Sequence, residues 1–290
     1  MKLGKDIRKS ASMLSCQKAR WLLDTYYQIQ DTRVRAKSQA NAQKDNAEPN
    51  ELIDWTFNTW KKFEAALKAS LGEFAATYKV GGWLQSQIGI GPVISAAMIA
   101  NFDIRKAPTV GHFWRFAGLD PTCVWEKGKT RPYNAKLKAI CVYKMGECFV
   151  KFQNNKNDYY GHLFAQKKAD LTGQNMRREF APFAAKEIEE HRGKKCGSRK
   201  WESLDRWKDW EDGRICQQNI HDRARRWTVK LFLSHLHEVM YRDFWGKEPP
   251  APFVFSLSGH SHKIEAKNVM EYDGLTLKEL YKKEPILMRV

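Results

Sequence analysis

The sequence predicts a mainly α-helical protein, and three observations carry that reading. Apolar residues recur at spacings of three and four over two long N-terminal stretches. The same spacing returns late in the chain, from Ile220 to Tyr241. Glycine and proline, as in Gly81-Gly82, Gly118 and Pro249-Pro250, fall where periodic runs end.

The first element is a long helix from Ile7 to Gln43, with Ala19, Leu22, Tyr26, Ile29 and Arg33 on one face. Asn41 to Asn50 is polar, contains Pro49 and reads as a turn. A second helix carries Ile53, Phe57, Trp60, Leu67, Leu71, Phe74 and Tyr78, with Phe63 or Glu64 filling the one longer gap. That seam is heptad-like. Residues 1–80 are therefore expected to form an antiparallel, coiled-coil-like hairpin. Its seam either packs only within the chain or recruits a second copy into a homodimer.

A compact helical domain is expected over residues 81–165. Gly81-Gly82 opens it. Leu84 to Ile99 then places apolar residues before, and small and apolar residues after, the turn Gly89-Ile90-Gly91-Pro92. This is the pattern of a helix-hairpin-helix. Glycine adopts backbone angles closed to other residues, and proline suits the first position of a helix. Unpaired amides at the helix start can hold a phosphate oxygen. The alternative is a tight corner inside a core. A helical run from Val110 to Phe116 ends at Gly118, and Leu119-Asp120-Pro121 is a turn. Val124 to Tyr133 is short, polar and basic, either a strand pair or a loop. Helical spacing returns over Asn134 to Phe152, Asn154 to Asp158 turns, and another helix starts at Tyr159.

Residues 166–212 read as a basic charged insertion in which His191 to Lys200 is an exposed, mobile loop. Residues 213–290 hold a C-terminal helix packed on the preceding domain, a short strand at Phe253-Val254-Phe255, and a peripheral tail.

The chain has 290 residues, with 50 Lys plus Arg against 33 Asp plus Glu and a formal charge of +17. A field of that sign favours polyanions, nucleic acid first and an anionic membrane surface second. No apolar run is long enough to span a bilayer, and the N-terminus does not lead into a signal-peptide core. The six cysteines are scattered, without a Cys-x-x-Cys pair, and read as reduced thiols. These features point to a cytoplasmic protein with DNA or RNA as partner and no membrane.

The order of motifs resembles the C-terminal domain of insertion-sequence transposases of the IS-one-ten type. Ile88-Gly89-Ile90-Gly91-Pro92 is followed by Phe102-Asp103-Ile104, Phe113 and Phe116-Ala117-Gly118-Leu119-Asp120-Pro121. Asn134, Leu137 and Lys138 then match the start of a family helix. Asn154-Asn155 and Tyr159-Tyr160 match its turn and paired aromatic, and Ala224-Arg225-Arg226 through Leu233 a late Ala-Arg-rich helix. The resemblance covers about Gly81 to Leu163, with a weaker echo over His221 to Met240. It implies DNA recombination or another mobile-element process. Two departures qualify it. The family's RuvC-like nuclease domain, with its metal-binding carboxylates, has no counterpart among the helical residues before the turn. The family also places a nucleophilic serine in the loop after this motif, and here Lys127 stands at that position. A lysine cannot form the phosphoester link to DNA that a serine forms, so the catalytic residue is unassigned and enzyme activity is left open.

The expected nucleic-acid contacts are Gly89, Ile90, Gly91, Arg115, Lys127, Lys129, Arg131, Arg223, Arg225 and Arg226. Several sit among aromatics, as in Trp125-Glu126-Lys127 and Arg225-Arg226-Trp227, so charge and planar rings coincide. His221, His235, His237, His260 and His262 invite a metal, but their spacing argues against a shared site. Asp103, Asp120, Glu126 and Glu147 read as salt-bridged or capping carboxylates rather than a cluster. No metal or cofactor is expected. Two other readings stay open: an active recombinase with a non-standard nucleophile or a separate nuclease subunit, and a non-enzymatic structural or interaction protein.

Overall fold

Helices α1 (Lys5–Lys9), α2 (Cys16–Ala42) and α3 (Glu51–Ala76) open the chain. They belong to a computed structural model that describes residues 4–42, 51–250, 263–282 and 284. The protein is mainly helical, and its sheet among the described residues is a two-stranded hairpin. The single helix expected from Ile7 is interrupted. A 3₁₀ turn, Ser10–Met13, and extended Leu14 separate α1 from α2. No glycine or proline marks this break. The Ser10 and Ser12 hydroxyls donate to the carbonyls of Ile7 and Lys9 there, a local bonding that competes with regular helix. The expected turn before α3 falls mostly outside the described residues.

Two compact units divide the chain. One comprises residues 1–140 and 233–290, the other residues 141–232. The cuts do not coincide with the composition breaks at 80, 165 and 212. One falls just inside the π-helical segment Ile140–Met145 and the other within a continuous late helix.

In the first unit α2 packs on α3, and both pack on α5 (Pro92–Asn101), which follows α4 (Lys79–Ser86). Glu64 of α3 receives Tyr26 Oη (3.2 Å), Gln30 Nε2 (3.2 Å) and Arg33 Nε from α2. Burial is concentrated at one end of the α3 seam. Leu67, Leu71, Phe74 and the following Tyr78 are buried, whereas Ile53, Phe57 and Trp60 are only partly covered. Every residue of α5 from Val93 to Ala100 is buried, which makes it the central helix of this unit. Phe102 stacks on Phe113 of α6 (Val110–Phe116) with centroids 4.2 Å apart, and His237 meets Phe113 edge-on at 5.1 Å. The short helix α7 (Ala135–Ala139) and a C-terminal helix, Leu277–Lys282, complete the unit. Phe253-Val254-Phe255 lies outside the described residues.

In the second unit α8 (Gly146–Phe152) packs on α9 (Tyr159–Met176). Phe149, Tyr160 and Phe232 form a ring cluster with centroids 4.9–5.4 Å apart. The expected charged insertion is folded. It contains the end of α9, α10 (Ala181–His191), strands β1 (Lys195–Cys196) and β2 (Arg199–Lys200), and α11 (Asp205–Glu211). Ala184, Trp207 and Trp210 build a small core there, with Ile188 and Trp201 packed against it. Of the segment His191 to Lys200, expected as an exposed loop, His191 ends α10, residues 192–200 are exposed, and residues 195–200 form a β-hairpin. Helix α12 (Gln217–Trp245) runs four residues beyond its expected C-terminal end at Tyr241 and buries side chains around much of its circumference.

Candidate nucleic-acid interface

The corner between α4 and α5 is built from Gln87, Ile88, Gly89, Ile90 and Gly91. Gly89 has φ +85°, in the left-handed region that favours glycine. Gly91 does not need that freedom. Its φ is −91°, and it caps α5 with Pro92 at the first helical position. The Ile90 side chain is buried and its amide donates to the Gln87 carbonyl at 3.1 Å, so it holds the turn closed instead of facing a ligand. Among the described residues the Gly89 and Gly91 amides have no hydrogen-bond partner, and a methyl group on Gly91 would meet nothing within 4 Å. The start of α5 is partly covered by α3, where a methyl on Gly72 would lie 3.3 Å from Pro92 Cβ.

A loop from Asp120 to Tyr133 follows α6. It contains no strand and is anchored at both ends. At its base Asn134 N–H donates to the Phe116 carbonyl (3.0 Å), and Asn134 Oδ1 caps α7 by accepting from Leu137 N–H (3.0 Å). Tyr133 lies against Gly118, where a methyl would approach its ring to 2.8 Å, and Lys138 Nζ sits 4.6 Å from that ring's centroid. At the entrance Asp120 Oδ1 accepts from both the amide (2.9 Å) and the hydroxyl (2.7 Å) of Thr122. Farther out, Trp125 Nε1–H donates to the Lys129 carbonyl at 2.7 Å, and the Arg131 guanidinium lies 5.2 Å above the Trp125 ring.

This brings Lys127, Lys129 and Arg131 onto one exposed loop. Lys129 pairs with Glu126 at 2.7 Å, both largely in solvent, while Lys127 has no ion pair among the described residues. Arg115 is exposed near the end of α6, and its carbonyl accepts from Gly118 N–H at 3.0 Å. The Trp125 clamp was not legible as such. The interleaving of rings and charges was visible, but not that one ring organises the loop.

The three arginines of α12, in the second unit, separate into different roles. Arg225 is 7% exposed, paired with Glu147 and with Asp222 (2.6 Å), and lies 5.2 Å from the Tyr143 ring centroid. Gly146 makes room for it, since a methyl there would come within 2.9 Å of Arg225 Cγ. Arg225 is an internal ion-pair residue, not a surface contact. Arg223 is half-buried, donates to Asn219 Oδ1 (2.7 Å) and lies over Phe180 and Phe183. Arg226 is exposed.

Each carboxylate considered from the sequence has its own partner. Asp103 binds Arg105 (2.8 Å), Asp120 binds Thr122, Glu126 binds Lys129 and Glu147 binds Arg225. No group of three or more His, Cys, Asp or Glu among the described residues is placed to hold a metal. His235 and His237 are buried, and their Nε2–H groups donate to the carbonyls of Ile264 and Ala107, each at 2.8 Å. Burial holds both imidazoles below their usual pKa, which keeps them neutral. His221 is lowered too, first by burial and then by Lys168 and Arg225. His260 and His262 lie outside the described residues.

No helix among the described residues is long and apolar enough to cross a membrane. No protein-family model, no curated protein and no solved structure matches the chain.

Proposed function

We propose that this is a cytoplasmic DNA-binding protein related to insertion-sequence transposases of the IS-one-ten type, acting in recombination, transposition or another mobile-element process without strand-transfer chemistry of its own. The observation that carries the reading is the loop Asp120–Tyr133. It is tied down at its base by Asn134 and Gly118, folded over Trp125, and presents Lys127, Lys129 and Arg131 to solvent. Anchored cations in a chain of charge +17 displace counterions from a phosphate backbone, which drives association without sequence preference. The Gly89 and Gly91 amides at the α4–α5 corner add donors suited to a phosphate oxygen. Replacing Lys127, Lys129 and Arg131 together by alanine weakens binding to duplex DNA and reduces its salt dependence. Full retention of both, in a folded variant, contradicts the reading.

One observation favours an active recombinase with a non-standard nucleophile. The exposed Thr122 hydroxyl donates to the Asp120 carboxylate at 2.7 Å, the contact a base makes with a nucleophile. The same oxygen accepts the Thr122 amide, as in an ordinary Asx turn, and this local role accounts for the contact. Incubation with supercoiled and branched DNA in magnesium or manganese, with gels run before and after protease treatment, separates the two. The expected result is no adduct. A protease-sensitive adduct that disappears in Thr122→Val establishes the recombinase.

Toward the start of α3 the seam residues Ile53, Phe57 and Trp60 are only partly covered. These extend the buried seam, and a second copy of the chain is the partner that the same heptad pattern matches. Sedimentation equilibrium is expected to show a dimer that Trp60→Glu dissociates. A monomer at all concentrations excludes it.

A further inference from the structure

The second unit carries a cationic feature that the proposed loop interface does not use. After α10 the chain turns at Gly193, runs out along β1, reverses at Gly197-Ser198 and returns along β2. Gly197 has φ +63°, which a tight two-residue hairpin turn requires. The register places Lys195 opposite Lys200 and Cys196 opposite Arg199. Like charges directly opposite destabilise an antiparallel pair. Every residue from 192 to 200 is exposed, and none of the five cations Arg192, Lys194, Lys195, Arg199 and Lys200 has an ion pair within 4 Å among the described residues. Glu202 does not neutralise them by contact. Its carboxylate accepts the Gly193 amide at 2.6 Å.

The hairpin is nevertheless held in place. Trp201 N–H donates to the Lys194 carbonyl at 3.2 Å and closes the base of the ladder. The Trp201 ring stacks on Trp210 with centroids 5.6 Å apart and meets His191 at 4.1 Å. The charges therefore project from a small aromatic core and do not float on a loose segment. Such a surplus, fixed in position and left unneutralised by the protein itself, matches a polyanion. The tip Lys-Cys-Gly-Ser-Arg has no large apolar side chain to enter a lipid interface and no ring on which an unpaired base could stack.

We propose that the hairpin Lys194–Lys200 is a second DNA-binding element that grips the phosphate backbone of duplex DNA. The inference rests on the reading of the protein as a DNA binder, but it concerns a different surface in the other unit. Its test uses the full chain in four forms: unaltered, with Lys194, Lys195, Arg199 and Lys200 changed to alanine, with Lys194, Lys195 and Lys200 changed to arginine, and with the loop residues Lys127, Lys129 and Arg131 changed to alanine. Fluorescence anisotropy with a labelled duplex is measured over a range of salt concentrations, with circular dichroism confirming each fold. Removing one neutralised phosphate lowers the slope of log affinity against log salt by about 0.9. The slope of the hairpin variant is expected to be smaller by at least about 2, and the variant in which Lys194, Lys195 and Lys200 become arginine is expected to keep the full slope. An unchanged slope in the hairpin alanine variant overturns this inference and leaves the loop reading intact. A reduced slope in the hairpin variant with none in the loop variant does the reverse. Absence of binding by the unaltered protein at low salt overturns both. Hairpin-dependent binding to phosphatidylserine vesicles but not to DNA replaces DNA with a membrane surface.

Discussion

At the residue scale, Gly89 and Gly91 separate folding from binding. Gly89→Val forces a β-branched residue to φ near +85° and is expected to destabilise the protein by about 1–3 kcal/mol. Gly91→Val meets open space at an ordinary φ, so the fold should survive while a phosphate approaching the corner is obstructed. Thermal melts and DNA titrations on both variants check this. A folded Gly91→Val with unchanged affinity reduces the corner to packing alone. Arg225 and Arg226 form a second pair. Arg225→Ala leaves Glu147 and Asp222 without their cation and is expected to cost about 3 kcal/mol of stability. Arg226→Ala, at an exposed position, should change stability by less than about 0.5 kcal/mol and act only on binding. Denaturant melts distinguish the two. From the sequence these arginines were indistinguishable, because Asp222 lies one turn before both and Glu147, the second partner of Arg225, is on a different helix and far away in the chain.

At the scale of elements, the buried histidines set a pH dependence. His235 and His237 are held below their usual pKa by burial, so the unfolded chain binds protons that the folded chain refuses. Their contribution to stability is complete above the unfolded value of about 6.5 and is lost progressively as pH falls from there through the lower folded values. Asp158 and Asp243, raised by burial, act in the opposite sense. Melting temperatures measured from pH 7.5 to 5.5 should fall, and the combined variant His235→Gln, His237→Gln should show a flatter profile. An equally steep profile in that variant assigns the effect to other groups. Helix spacing was legible at Ala19, Tyr26, Leu67, Leu71 and Phe74, whereas on α2 it is Leu23 and not the expected Leu22 that is buried. The break before Cys16 was not legible, since serine hydroxyls and not a glycine or proline mark it. Nor was the fold of residues 195–210, where spaced tryptophans form their own small core without a regular period.

At the scale of the whole molecule, charge is the property that sequence and structure express in the same way. The excess of 17 positive charges is a count, and the structure sorts its members. Arg225 and Arg33 are consumed by internal pairs, whereas Lys127, Lys129 and Arg131 stand in solvent on an anchored loop. The candidate site was therefore legible as a set of residue types, and its division into internal and external members was not. The most direct test of the central claim is the affinity of the intact protein for a generic DNA duplex, measured by anisotropy at several salt concentrations beside the variant with Lys127, Lys129 and Arg131 changed to alanine. The account predicts tight binding at low salt, a steep fall in affinity as salt rises, and a slope smaller by about 2.7 in the variant, from three neutralised phosphates at about 0.9 each. No binding at low salt, or a slope unchanged in the folded variant, contradicts it.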